Sequence, residues 1–192
     1  MHHPRPRLLK LLVAALVCVP AAVTATPASA AKGAQMAKAC ANASLVPNAG
    51  NLKKVNKAAL CLVNRERSKR HLPPLKQQAA LNRTATRYAK RLVAERFFDH
   101  TAPDGTTLVK RIRAAGYLKG NPRRWWVSEN IAYGPGNVGT PSLIVKAWMK
   151  SDDHRANILQ RRFRDIGLGV TLGSPDGSRG ATYVHDFGRR QG

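Results

Sequence analysis

The hydrophobic pattern changes along this chain from helical to strand-like, and this change most constrains the fold. Residues 52–70 carry one apolar stripe, formed by Leu52, Val55, Ala59, Leu62 and Val63. A second, stronger helix is predicted from about residue 76 to residue 96, with a basic outer face. Residues 164–172 and 181–187 are predicted to form two strands, joined by turn residues that are typical of a hairpin. The pattern predicts a mixed α and β domain with an antiparallel sheet.

Turn and cap residues divide the region between these elements. Asp104 is the predicted N-cap of a third helix, which ends at Gly116 because glycine adopts the left-handed conformation readily. A basic loop is expected over residues 118–126. Its Trp125 and Trp126 are interpreted as partial core or as a lid, rather than as a base-stacking platform.

A fourth helix is predicted to begin at Thr140 and Pro141, since proline is favoured in the first helical turn. Its periodicity turns Ser151 inward, next to the turn that carries His154.

The first 30 residues have the organisation of a secretory signal peptide. Basic residues precede an apolar run over residues 11–19, and Ala28-Ser29-Ala30 provides a small-residue cleavage site. The run is shorter than the roughly 20 residues that a membrane-spanning helix needs. We therefore predict a secreted protein with a signal peptide at 1–30, an extended lead-in at 31–50 and one domain at 51–190.

Cysteine usage agrees with secretion. Removal of the signal region leaves Cys40 and Cys61, which most simply pair in an oxidising compartment. Such a bond would contribute roughly 3 kcal/mol in the chain-entropy model. The alternative is that both thiols stay reduced and one packs in the core.

The mature chain is strongly basic. The signal region holds three of the 33 lysines and arginines, so 30 basic residues stand against 10 acidic ones. Such a charge concentrates a protein on anionic cell-wall polymers or lipid surfaces. The alternative is that the charge only keeps a secreted protein soluble. No long basic tract or aromatic-interleaved RNA motif is present, so we expect no specific nucleic-acid partner. We expect a monomer.

Three separate segments supply a candidate site made of His100, Glu129 and His154. Two imidazoles and a carboxylate suit zinc or another divalent transition metal with one open position. The alternative is a hydrogen-bonded His–Glu network that pins loops around a cleft, and residue chemistry alone favours it. In the metal site, Asp99 or Asp153 is a candidate to orient a histidine.

Two other motifs are weaker. Ser128 and Ser151 lack the G-x-S-x-G elbow of a nucleophilic serine. Gly134, Gly136 and Gly139 match the dinucleotide fingerprint, but no βαβ succession surrounds them. We interpret this glycine segment as a turn.

Several ordered motifs together resemble the bacterial branch of the CAP superfamily, which comprises cysteine-rich secretory proteins, antigen 5 and pathogenesis-related 1 proteins and is also called the SCP domain. The resemblance spans about residues 57–188. The motifs that carry it are Val63-Asn64-Arg65-Glu66-Arg67, Phe98-Asp99-His100, Ser128-Glu129-Asn130-Ile131-Ala132, Trp148-Met149-Lys150-Ser151, His154-Arg155-Ala156-Asn157-Ile158-Leu159 and Asp186-Phe187-Gly188.

The resemblance implies an α+β fold, a three-layer α-β-α sandwich with a central antiparallel sheet and an open cleft. It assigns His100 and His154 to the cleft histidines and Glu129 to the first cleft glutamate. Ser151 stands where eukaryotic members have a second glutamate. His185 stands where many bacterial members have glutamine, and we predict that it is an exposed strand residue rather than an additional polar group of the site.

Three functions from different classes follow. The leading one is a secreted CAP-domain protein whose His/Glu/His cleft binds a divalent metal or a small ligand at the cell envelope, without established catalysis. A second is a metal-dependent hydrolase of protein or cell-wall polymer, with His100, Glu129 and His154 as the candidate catalytic residues. A third is a basic, polyanion-binding envelope protein.

Overall fold

The computed structural model describes residues 40–192. The predicted signal peptide at 1–30 and residues 31–39 of the lead-in lie outside the described residues. Across residues 40–192, no helix combines the length and the apolar character needed to cross a membrane.

The first helix, α1, spans Leu52–Ser68 and buries the predicted stripe, including Val55 and Val63. A disulfide joins Cys40 to Cys61 on this helix, which confirms the predicted pairing. The end of the lead-in is thereby held against α1.

The second helix, α2, spans Ala79–Ala94 and begins later than the sequence predicts. Residues Lys76–Gln77 form a short strand, β1. The backbone N–H of Lys76 donates to the carbonyl of Arg164, which draws this segment into the sheet. Gln78 then caps the helix, because its side-chain oxygen accepts from the N–H of Leu81.

A short third helix, α3, spans Leu108–Ala114 and is capped by Thr107, not by the predicted Asp104. The Asp104 carboxylate instead accepts a bond from the N–H of Thr106, inside the preceding turn. The helix ends as predicted at Gly116, whose φ is 82°.

Three longer strands build the sheet: β2 at Arg124–Pro135, β3 at Asp165–Leu172 and β4 at Gly180–Gln191. The basic loop predicted over 118–126 therefore ends at residue 123, and both of its tryptophans lie on β2. The strand order is β1-β3-β4-β2, with β1 parallel to β3 and the other pairs antiparallel. β2 is thus an edge strand.

A one-turn 3₁₀ helix at Gly136–Gly139 follows β2, as expected of a turn rather than a dinucleotide loop. Helix α4 spans Pro141–Lys150, with Thr140 as N-cap, and helix α5 spans Asp152–Leu159.

Helices cover both faces of the sheet. One face packs against α1, α4 and α5 around Trp148 and Phe187, and the other packs against α2 and α3 around Tyr88 and Ile112. This arrangement confirms the predicted three-layer α+β sandwich, with the two-residue β1 as the parallel exception.

Candidate functional site

His100 lies in the loop after α2, where the helix has ended and the chain turns at Arg96 with a φ of 52°. Its side chain is 54% exposed, and its Nδ1 is hydrogen-bonded to Oε1 of Glu129 at 2.8 Å. This bond raises the pKa of His100, because the carboxylate favours the charged ring.

Glu129 is the buried centre of the site, with a side chain that is 2% exposed. It lies on the edge strand β2, and its Oε2 accepts a hydrogen bond of 2.7 Å from Nη2 of Arg111. Its two carboxylate oxygens are therefore bonded to different side chains, one oxygen to each.

Arg111 is a site residue that none of the sequence motifs indicated. It lies on α3, with its guanidinium carbon 3.3 Å from the centroid of the Tyr88 ring. It also donates to the carbonyl of His100 at 3.0 Å, so one guanidinium holds both the glutamate and the loop of its histidine. Arg111 follows Leu108 by three residues and so shares the apolar face of that helix, which was the available sequence signal.

His154 approaches the site from α5. Its Nδ1 is hydrogen-bonded to the Ser151 hydroxyl at 2.8 Å, and its carbonyl accepts a bond from the fully buried Asn130 at 3.0 Å. Burial lowers the pKa of His154, and the nearby charge of His100 lowers it further. Ser151, which was predicted to face inward, therefore orients the ring of His154.

Neither Asp99 nor Asp153 orients a histidine ring, although the sequence suggested both as candidates. Asp99 bonds the backbone of Thr101 instead of a histidine, and the Nδ1 partner of His154 is Ser151 rather than Asp153. Each imidazole is held through Nδ1, which leaves its Nε2 as the available ring nitrogen.

The donor set has two available imidazoles and one engaged carboxylate. No group of three or more His, Cys, Asp or Glu side chains within residues 40–192 is arranged to hold a metal ion. The direct ligation of a metal by Glu129, together with His100 and His154, stays a prediction. The arrangement fits a carboxylate that bonds Nδ1 of His100 and leaves Nε2 of the ring available.

Asp186 on β4 lies directly opposite Glu129 in the strand register and is fully buried. Burial, followed by the neighbouring charge of Glu129, raises the pKa of Asp186 well above its usual range. The shift favours the protonated acid at Asp186.

The predicted exposure of His185 is wrong, since this residue is 0% exposed. Alternation along β4 turns it toward the α4 layer, where its ring lies 4.6 Å from that of Trp148. Neither ring nitrogen has a hydrogen-bond partner within the described residues, and burial lowers the pKa of His185 to about 3. The sheet register, rather than the local sequence, decides this environment.

The variant His185→Gln is expected to lose less stability in acid than the natural chain. The His185 pKa is about 3 in the folded state and roughly 6.5 in an unfolded chain. The contribution of the neutral ring to folding stability is therefore fully present when the pH is above the pKa of His185 in the unfolded chain. This contribution is lost as the pH falls below that value. At about pH 4.5 the loss should reach roughly 2–3 kcal/mol. Urea unfolding of both proteins near pH 7.5 and pH 4.5 measures the difference.

Comparing the two proteins isolates His185, because both retain His100 and Asp186, which titrate as well. The rings and strands packed around His185 bring Trp148, Phe187, Asn130 and Leu168 close to it, and none of these is charged. An equal loss of stability in both proteins would show that His185 is already charged in the fold or that it ionises without cost.

The tryptophans of β2 pack as partial core, in agreement with one of the two roles predicted for them. Trp126 lies against the α1, α4 and α5 layer, and Trp125 lies against the α2 and α3 layer. An arginine covers each ring: Arg162 lies 5.3 Å from the centroid of Trp126, and Arg113 lies 5.8 Å from that of Trp125.

A known bacterial protein is similar to this chain in sequence. The uncharacterized protein YkwD of Bacillus subtilis (strain 168) is 34% identical over 108 residues, which are 56% of this chain and 39% of that relative. The chain therefore spans well under half the length of this relative.

Two solved structures share the fold at identities too low to show more than the fold. An outer surface protein from Borrelia burgdorferi has a TM-score of 0.58 at 23% identity, over 76% of this chain and 97% of that one. An extracellular protein containing a SCP domain from Bacillus anthracis str. Ames has a TM-score of 0.56 at 24% identity, over 73% of this chain and 41% of that one.

A family model also matches the sequence of this chain. It is the model of the cysteine-rich secretory protein family, CAP, and it matches residues 60–187, which include His100, Glu129, His154 and Asp186. The chain belongs to the CAP family of cysteine-rich secretory proteins.

Proposed function

We propose that this CAP domain acts outside the cell and binds a divalent metal or a small ligand between His100 and His154, without catalysis. The observation that carries the proposal is the pair of imidazoles that are both held through Nδ1. The extracellular location is supported by the signal-peptide pattern at residues 1–30. The descriptions of the Bacillus anthracis and Borrelia burgdorferi proteins as extracellular and outer-surface also support it.

Glu129 is proposed to act as a positioning residue for His100. A carboxylate on one ring nitrogen fixes the tautomer and makes the opposite nitrogen a better donor to a metal. Arg111 and the burial of Glu129 hold that carboxylate in place, so His100 loses little rotamer freedom on binding. Imidazole nitrogen suits zinc, copper and nickel, and water or the ligand itself would complete the coordination.

The hydrolase alternative gains no comparable support. A general base needs a carboxylate oxygen that can reach water, whereas one Glu129 oxygen is bonded to His100 and the other to Arg111. We therefore assign no reaction to the cleft.

The binding test is a calorimetric titration of zinc into the mature protein. We expect saturable heat in the natural chain and none in a His100→Ala/His154→Ala double variant. Glu129→Gln should weaken zinc binding by roughly 10–100-fold, because the neutral amide supports the ring less well. The matched control is His71→Asn, since His71 is exposed and its φ of 54° is tolerated by asparagine. Equal heats from the natural chain and the double variant would exclude the metal site.

A further inference from the structure

The first residues of β2, which precede Glu129 on this strand, have an outer edge that no strand among residues 40–192 pairs with. The carbonyls of Glu129 and Ile131 accept bonds from the side chains of Asn157 and Trp148, so these two residues point their backbone groups away from β4. In an antiparallel pair, the backbone N–H and C=O groups of successive residues point alternately toward the partner strand and away from it. The backbone groups of Trp125 and Val127 therefore also point away from β4. Within residues 40–192, no group bonds to their outward N–H or C=O.

A groove of about 500 Å³ runs along this edge. Val109 of α3 lies on one side of it, and residues at and after the end of α5 lie on the other, including Asn157, Gln160 and Phe163. The edge strand thus lies in a furrow lined by side chains from α3, from β2 itself and from the end of α5 and the residues after it.

The furrow is basic. Arg162 lines it directly, and Arg113 lies over the Trp125 ring. Arg123 and Arg124 are exposed where β2 begins, and none of the groove-lining residues is acidic. The charge opposes pairing with a second copy of this basic chain and complements an acidic partner.

We propose that residues 125–128 of β2 are a docking edge for an extended, acidic segment of a partner protein, which adds to the sheet as a further strand. Main-chain bonds to Trp125 and Val127 would provide the affinity, and the arginines would select acidic side chains. A polysaccharide is less favoured, because arginines already cover the indole faces on which sugar rings would stack.

The test uses a short, capped peptide in which glutamate and valine alternate, titrated into the full mature chain. We expect it to bind, and a version with every valine replaced by proline to bind at least about tenfold more weakly, since proline cannot donate strand bonds. A lysine–valine peptide should not bind. In NMR exchange measurements, the peptide should slow the amide protons of Trp125 and Val127.

Two protein variants complete the test. Arg162→Glu should weaken binding of the glutamate–valine peptide at least about tenfold. The control Arg87→Glu, which reverses an exposed charge on α2, should leave that binding unchanged. The His100→Ala/His154→Ala variant should bind the peptide normally, which separates this surface from the cleft. Equal binding of the valine and proline peptides, or no protection of the two amides, would overturn strand addition. Tighter Arg162-dependent binding of a heparin-derived oligosaccharide would overturn the assignment to a peptide partner.

Discussion

Replacing Arg67 with methionine is expected to destabilise the domain by roughly 3–5 kcal/mol. Arg67 lies on α1 and is 0% exposed. Its guanidinium donates to four carbonyl oxygens, which belong to Pro73, Ile158, Gln160 and Phe163. Methionine fills similar space but leaves these acceptors without donors. The carbonyls of Ile158 and Phe163 are buried, and unsatisfied buried acceptors carry the full cost of desolvation.

Urea unfolding measures this effect, and Arg65→Met is the matched control. Arg65 lies two residues earlier on the same helix with an exposed side chain, so its replacement should change stability by less than roughly 0.5 kcal/mol. Two of the Arg67 acceptors lie at the end of α5 and just after it, and α5 also carries His154. We therefore expect Arg67→Met to weaken zinc binding as well. Similar midpoints for the two variants would mean that the four carbonyls find other partners, and that Arg67 does not hold α5.

Gly169→Ala is expected to destabilise the fold by roughly 3 kcal/mol, the upper part of the range for overpacked cores. Gly169 lies on β3 facing α2, and a Cβ there would overlap the backbone carbonyl of Ala85. Gly167 on the same strand faces the backbone of Leu81 in the same way. The cost arises from close approach of helix and sheet, because neither glycine is among those with positive φ.

Thermal or urea unfolding of Gly167→Ala, Gly169→Ala and a control glycine variant tests this helix–sheet contact. Gly50→Ala is the control, since a Cβ at position 50 meets only the Asn48 side chain, at an ordinary 3.5 Å. The two strand variants should unfold well before the control. If all three unfold together, α2 can move away from β3 without loss, and the packing of these layers is looser than the structure indicates.

Several parts of the fold could be predicted because their signals are local. The stripe on α1, the Thr140–Pro141 start of α4 and the hairpin of β3 and β4 each depend on residues within one or two turns of chain. Where a local signal competed with pairing to a distant segment, the prediction failed. Lys76 and Gln77, predicted to be helical, instead form a strand that pairs with β3. The two tryptophans of the predicted loop lie on β2 and pair with β4.

The site shows the same division. Family motifs identified His100, Glu129 and His154, but no motif indicated what would bond to them. Arg111 comes from a different helix, and its role depends on how α3 packs beside β2. The sequence likewise carried no signal that the His185 ring would be fully buried, since exposure on a strand depends on which layers cover it.

The sequence by itself determined the helical and strand periods and the membership of one family, and it favoured the pairing of Cys40 with Cys61. Only the tertiary structure decided which side chains surround each histidine and that Arg67 joins α1 to the end of α5. It also decided that the first residues of β2 form a basic edge with no partner strand among residues 40–192. The physical reason is that period and spacing are properties of neighbouring residues along the chain. Burial, charge pairing and edge exposure are set instead by strand register and by packing between segments that lie far apart in sequence.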